Sequence, residues 1–169
     1  MALRRLVLDA STLNLLAKTD LLQMVAPGVE ISIPRIVEQE VQAKPDSYDA
    51  QMVARMITEG AIHVLNEVPA ADVKTFQKQF RLAEGEASAL WVAKDRQCVI
   101  GIDDGPGIRA AKILGVSFVT AIQILVGLYE QGHIQQASAL AKLDSLAMWG
   151  RYGGQLVSDA RLKIQKGGD

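Results

Sequence analysis

Acidic side chains recur in this sequence where an apolar run stops or a helical stretch begins: Asp9, Glu40, Glu86 and the Asp103-Asp104 pair. Leu6-Val7-Leu8 leads into Asp9, and Val99-Ile100-Gly101-Ile102 leads into Asp103. Such carboxylates project from the rim of a sheet rather than from its body. An acid directly after a buried strand is costly unless it is hydrogen-bonded or liganded. Several gathered at one rim repel one another and raise one another's pKa until a cation joins them. The economical cation is divalent Mg2+ or Mn2+, which takes oxygen ligands and keeps several of its own waters. The chemistry read from these residues is therefore that of one shared, metal-binding anionic site.

The elements that must hold such a site follow from the apolar periodicity. Leu6 to Leu8 reads as a short buried strand, and Ser11 or Thr12 can cap a helix carrying Leu13, Leu15, Leu16, Leu21 and Leu22. Ile31 to Ile33 is a second strand, after which Pro34 pre-sets the first turn of a helix that bears Glu40 off its apolar stripe. Ser47 can cap a helix through Ile57, and Ile62 to Leu65 is a third strand. A polar helix over Asp72 to Phe80 leads to a nearly all-apolar one with Glu86 in its first turn, where the helix dipole favours a carboxylate by roughly 0.3 to 1 kcal/mol whatever its function. Cys98 to Ile102 and Val116 to Val119 are further strands, separated by a helix opening at Gly105-Pro106-Gly107 and ending near Gly115. Helices over Ile122 to Tyr129, Gln135 to Leu146 and Asp159 to Ile164, the last capped by Ser158, close the chain. Strands alternating with helices predict an α/β sandwich around a mainly parallel sheet, and such sheets bind ligands outside the carboxyl ends of their strands.

Composition bounds the rest. The 169 residues, 49% hydrophobic and 22% charged, suit a single domain over residues 1–169 with 135–169 as a helical extension, and leave only Lys166 to Asp169 as a candidate disordered tail. The lone Cys98 excludes an internal disulfide and reads as core filling in a cytoplasmic protein. No window approaches a membrane span or a signal-type apolar stretch. A net charge of -1 gives no global attraction to nucleic acid, so a polyanion must be held by a local patch or through metal. Arg4, Arg5, Arg35, Arg81, Arg96, Arg109 and Lys112 are candidates for that rim, while His63, His133, Trp91 and Trp149 read as edge, turn and packing residues.

Leu-Val-Leu-Asp9-Ala-Ser11, Ile33-Pro34-x-x-Val-x-x-Glu40-Val41, Gly85-Glu86-Ala-x-Ala89-Leu90 and Ile102-Asp103-Asp104, in this order across almost the whole chain, resemble the PIN-domain nucleases. Lys112-Ile-Leu-Gly115-Val116 and Gln131-Gly132-His133-Ile134 are similar to a PIN-like branch that commonly ends in additional helices. The resemblance implies a three-layer α/β/α sandwich with extra C-terminal helices. It also implies an acidic cluster of Asp9, Glu40, Glu86 and Asp104 with Ser11 as a polar helper, and a Mg2+- or Mn2+-dependent ribonuclease acting on single-stranded or structured RNA. Many members of the broader family are VapC-like toxins neutralised by a small partner protein, so a toxin of a toxin-antitoxin pair, with a small antitoxin protein as partner, is the expectation at its most specific. Two departures stand out: Gly105 follows the Asp pair where related sequences often carry a basic residue, and Thr120-Ala121-Ile122-Gln123 replaces a Gly-Thr-x-Gly turn.

Under this reading Asp9, Glu86 and Asp104 bind the metal directly or through water, and Glu40 positions the attacking water or completes the cluster. Adjacent residues on an extended segment point to opposite sides, so Asp103 is the alternative ligand to Asp104. An aspartate-nucleophile phosphatase would need a second Asp at position 11, where Ser11 stands, and a receiver-type phosphoacceptor would pair its acids early rather than late. The remaining alternative is an inert PIN-like module for binding or assembly. Apolar surface near Leu13 to Val25 or on the late helices would serve such a role, or a homo-oligomer.

Overall fold

The computed structural model describes residues 3–167. Strands β1 (Arg5–Leu8), β2 (Glu30–Pro34), β3 (Ile62–Leu65), β4 (Val99–Gly101) and β5 (Phe118–Val119) pair in parallel in the order β3-β2-β1-β4-β5. Helices α1 (Ala10–Lys18) and α2 (Leu21–Val25) join β1 to β2, and α3 (Arg35–Val41) and α4 (Tyr48–Thr58) join β2 to β3. After α5 (Ala70–Phe80) and α6 (Glu84–Asp95) the chain returns to the far side of β1 as β4, then runs through α7 (Gly105–Leu114) to β5. Helices α8 (Ala121–Glu130), α9 (Gln136–Trp149) and α10 (Gly154–Lys166) follow.

The alternation of strand side chains makes the three layers. Leu6 and Leu8 enter a core shared with α1, α2, α4 and the C-terminal helices, while Val7 and its register partner Ile100 enter a second core with α5, α6 and α7. Leu6, Leu8, Leu13 and Leu16 are almost wholly buried, each contributing roughly 1.5 to 3 kcal/mol from lost water contact. The result is the three-layer α/β/α sandwich that the resemblance implied. Strand succession reverses at β1, which lies between β2 and β4. The carboxyl ends of β1 and β4 thus form the topological switch point where such sheets leave a crevice.

Several expected boundaries shift, each for a local reason. The first helix breaks at Asp20, whose φ of 59° is left-handed, while the Thr19 hydroxyl donates back to the Leu15 carbonyl at 2.7 Å. Neither Ser11 nor Thr12 caps α1; Asp9 does, accepting from the Thr12 amide. Pro34 closes β2 and stands just before α3 rather than inside it. The fourth and fifth strands shorten because their leading residues close the preceding helices: the Cys98 amide bonds the Ala93 carbonyl, and the Val116 amide bonds the Ala111 carbonyl across Gly115 at φ 67°. Helix α10 starts four residues before Ser158, which lies in its interior, with Gly153 as cap. Trp149 is exposed, with the Lys18 ammonium 4.7 Å above its ring, rather than packed in the core. Of the expected disordered tail, Lys166 ends α10, and Gly168 and Asp169 lie outside the described residues. No described helix is long and apolar enough to cross a membrane.

Candidate active site

Asp9 leaves β1 at the switch point, its amide bonding the Gly101 carbonyl at 3.3 Å and so fixing it beside the end of β4. Its side chain is fully buried. The carboxylate accepts from the Thr12 amide at 2.8 Å and from the Ser11 hydroxyl at 3.1 and 3.3 Å. Burial pushes its pKa up to about 7 against the pull of those donors, and the neighbouring Asp103 carboxyl adds to the rise. Ser11 itself is exposed, so it reaches Asp9 from the solvent side.

The Asp pair after β4 divides as an extended segment should, and each half has its own set of partners. Asp103 accepts from the Thr12 hydroxyl at 2.8 Å, from the Ala121 amide at 3.1 and 3.2 Å, and from the Tyr152 hydroxyl at 2.5 Å. Those donors come from α1, from the first turn of α8 and from the segment between α9 and α10. The α8 amide is presented because Thr120 and Gln123 cap that helix reciprocally, at 2.9 and 3.2 Å. Burial raises the Asp103 pKa against all three donors, and burial beside this carboxyl also pushes the Tyr152 phenol up, keeping it a donor. Asp104 instead caps α7, accepting only from the Gly107 amide at 3.2 Å, and its charge reaches Glu86.

Glu86, in the first turn of α6, accepts from the Ala83 amide at 3.0 Å. Half-burial raises its pKa, the Ala83 amide opposes, and Asp104 raises it further. Glu40 is exposed as a residue, yet its carboxyl end is partly desolvated where α3 packs against α6. A Cβ built on Gly85 would lie 2.7 Å from one Glu40 carboxylate oxygen and closer still to the other, so only glycine admits this approach. Burial raises the Glu40 pKa, the Gly85 backbone opposes, and Glu86 and Glu84 raise it.

The predicted acids thus fall into two linked groups. Asp9 and Asp103 share Thr12, while Glu40, Glu86 and Asp104 form a chain of mutual repulsion with Glu84 as an added member. Among the described residues no three Asp, Glu, His or Cys side chains converge closely enough to enclose an ion directly. The ion pairs among those residues, Arg35–Glu38, Arg55–Glu59 and Arg161–Asp144, leave all five acids without a basic partner. An all-oxygen donor set with no basic partner suits a hard cation that retains most of its waters and needs only one or two carboxylates.

Sequence reasoning missed three contributors. Thr12 was read as a cap but bridges Asp9 to Asp103, Gly85 entered only as part of the Glu86 motif but seats Glu40, and Tyr152 carried no signal at all.

Comparison with known proteins places this geometry. No curated protein matches the sequence. PAE2754 from Pyrobaculum aerophilum superimposes with a TM-score of 0.53 at 22% identity, over 76% of this chain and 98% of that one. A PilT N-terminus domain protein from Sulfolobus solfataricus P2 gives a TM-score of 0.50 at 16% identity, over 73% and 92%. At such identities the likeness is one of fold. The sequence profile described as "PIN domain" matches residues 5–164, nearly the whole chain and all four acidic motifs. With the parallel sheet, its switch point and the acids arranged there, that match shows that this chain belongs to the PIN-domain family.

Proposed function

We propose that the protein is a divalent-metal-dependent endoribonuclease that hydrolyses phosphodiester bonds at the carboxyl ends of β1 and β4. PIN domains are generally nucleases. One observation supports the finer reading most directly: the five carboxyl groups lie in two groups, Asp9 with Asp103 and Glu86 with Glu40 and Asp104, four of the five have raised pKa, and none has a basic partner among the described residues. Such an arrangement is unfavourable on its own and favourable once a cation is shared.

In this reading Asp9, Glu86 and Asp104 hold Mg2+ or Mn2+, in part through water. Asp104 is preferred to Asp103 because Asp103 is occupied by three protein donors, whereas Asp104 has one. The ion supplies charge neutralisation at a phosphate oxygen and acidifies a coordinated water. Glu40, whose carboxyl binds protons more readily than usual, would accept a proton from the attacking water and orient it. Ser11 holds the Asp9 carboxylate from the solvent side.

The test is cleavage of varied single-stranded RNAs with Mg2+, with Mn2+ and with chelator, by wild type, Asp9→Asn and Glu86→Gln. Metal-dependent products from wild type and at least a hundredfold loss in both variants are expected. Cleavage that survives both substitutions, or none from wild type on any RNA, returns the chain to the inert binding-module reading.

A further inference from the structure

Beside the acids lies a groove with no role so far. It occupies about 320 Å³ between α3, the segment after β3, and the faces of α5 and α6, at the lower end of the range of small-ligand sites. Its floor is apolar, from Pro34, Leu65 and Val73, and its rim carries Arg35, Asn66 and Lys74. Arg35 is held in place twice, by Asn66 Oδ1 at 2.8 Å on Nε and by Glu38 on Nη1, and Nη2 makes no hydrogen bond among the described residues. Lys74 is exposed on α5 and forms no ion pair among the described residues. Glu84 lines the same groove and stands near enough to Glu40 to raise its pKa. Through Glu84 the groove therefore borders the Glu40 end of the acidic site.

We infer that this groove seats the nucleotide next to the cleaved bond in a single strand of RNA, with Lys74 and Arg35 taking backbone phosphate and the Pro34-Leu65-Val73 floor taking the base. The inference rests on the ribonuclease reading for its substrate class. A preformed arginine and a mobile lysine are a phosphate pair, one fixing geometry and the other adding charge. An apolar floor with amides at its edge suits an unpaired base, which a duplex would withhold. The basic rim also supplies what a net charge of -1 does not, a local attraction for a polyanion near carboxylates that repel one.

The experiment measures binding of a fluorescein-labelled single-stranded RNA dodecamer to the full chain in chelator, by anisotropy across a salt series. Wild type is compared with Lys74→Ala, Lys74→Glu and the charge-matched control Lys163→Ala on α10. Lys74→Ala should weaken binding about three- to tenfold and lower the log–log salt slope by about 0.7, Lys74→Glu should weaken it more, and Lys163→Ala should match wild type. In cleavage assays with metal, Lys74→Ala should raise KM and leave kcat within about twofold. Equal affinities and salt slopes for wild type and both Lys74 variants overturn the groove assignment while leaving nuclease activity standing. So does failure of wild type to bind the RNA at low salt. RNA binding that depends on Lys74 in a protein that never cleaves keeps the groove and removes the nuclease.

Discussion

Replacing Asp9 by Asn should make the metal-free protein more stable, although it removes a central member of the site. The carboxyl is fully buried and titrates near 7 instead of 3.8. At about 1.4 kcal/mol for each pH unit, that displacement is on the order of 4 kcal/mol. The sign follows from which state holds the proton. Below pH 4 the group is protonated folded or unfolded, and burial of the ion costs nothing. Between pH 4 and 7 the unfolded chain ionises first, so folding loses stability as pH rises, and above 7 the full penalty applies. Asparagine removes this penalty and its Oδ1 can still accept from the Thr12 amide; giving up a charge-assisted bond there reduces the gain to about 2 to 4 kcal/mol at pH 8. Urea unfolding of both proteins in chelator, at intervals from pH 4 to 8, should show curves that nearly coincide at the acid end and separate steadily above it. Mg2+ should stabilise the wild type and close much of that gap, as a ligand bound only by the folded state does. An Asn variant that is less stable than wild type at pH 8, or a gap that does not change with pH, would falsify the assignment of Asp9 as a strained, buried acid.

Gly85→Ala should cost activity and spare the fold. Alanine is favoured over glycine inside a helix by about 1 kcal/mol, and the atoms its Cβ would meet are the mobile end of Glu40, so unfolding should change little while cleavage falls by tenfold or more. Tyr152→Phe deletes one of three donors to buried Asp103 and should cost about 1 to 3 kcal/mol, a fall of several degrees in Tm that calorimetry can read. Asp104→Asn and Asp103→Asn should part company: the first should lose metal-dependent cleavage while its thermal midpoint holds within a few degrees, whereas the second should lose stability, because protein donors face both Asp103 oxygens and the new amide nitrogen would oppose one of them. Equal loss of cleavage with no loss of stability in both would reverse the choice of ligand between them.

The parts of the site that were legible in the sequence are those set by local pattern. Asp9 and Asp104 follow apolar runs that can only be strands, and Glu86 opens a helix too apolar to lie anywhere but inside. The parallel order of the sheet follows from alternation with helices. What stayed hidden depends on contacts between distant segments. Thr12 could be seen as a cap candidate, but its hydroxyl is spent on a carboxylate 91 positions away. Tyr152 stands in Gly150-Arg-Tyr-Gly-Gly, a stretch that reads as a turn and gives no hint that its hydroxyl is turned inward. The late start expected for α10 came from reading Ser158 as its cap, whereas the helix begins at Gly154 behind Gly153. Cys98 and Val116 belong by composition to strands and by hydrogen bonding to the helix ends before them, a competition that no periodicity resolves.

The partners of Asp103 also set a timetable. On the ribosome Thr12 emerges early, Asp103 follows 91 positions later, and Tyr152 a further 49 positions after that. At roughly 5 to 20 residues per second, the last interval alone lasts on the order of several seconds. Until it ends, the nascent chain carries this carboxylate without its phenol donor. The carboxylate at the floor of the switch point is therefore fully bonded only once the segment between α9 and α10 has been made, although every strand of the sheet precedes that segment in the chain.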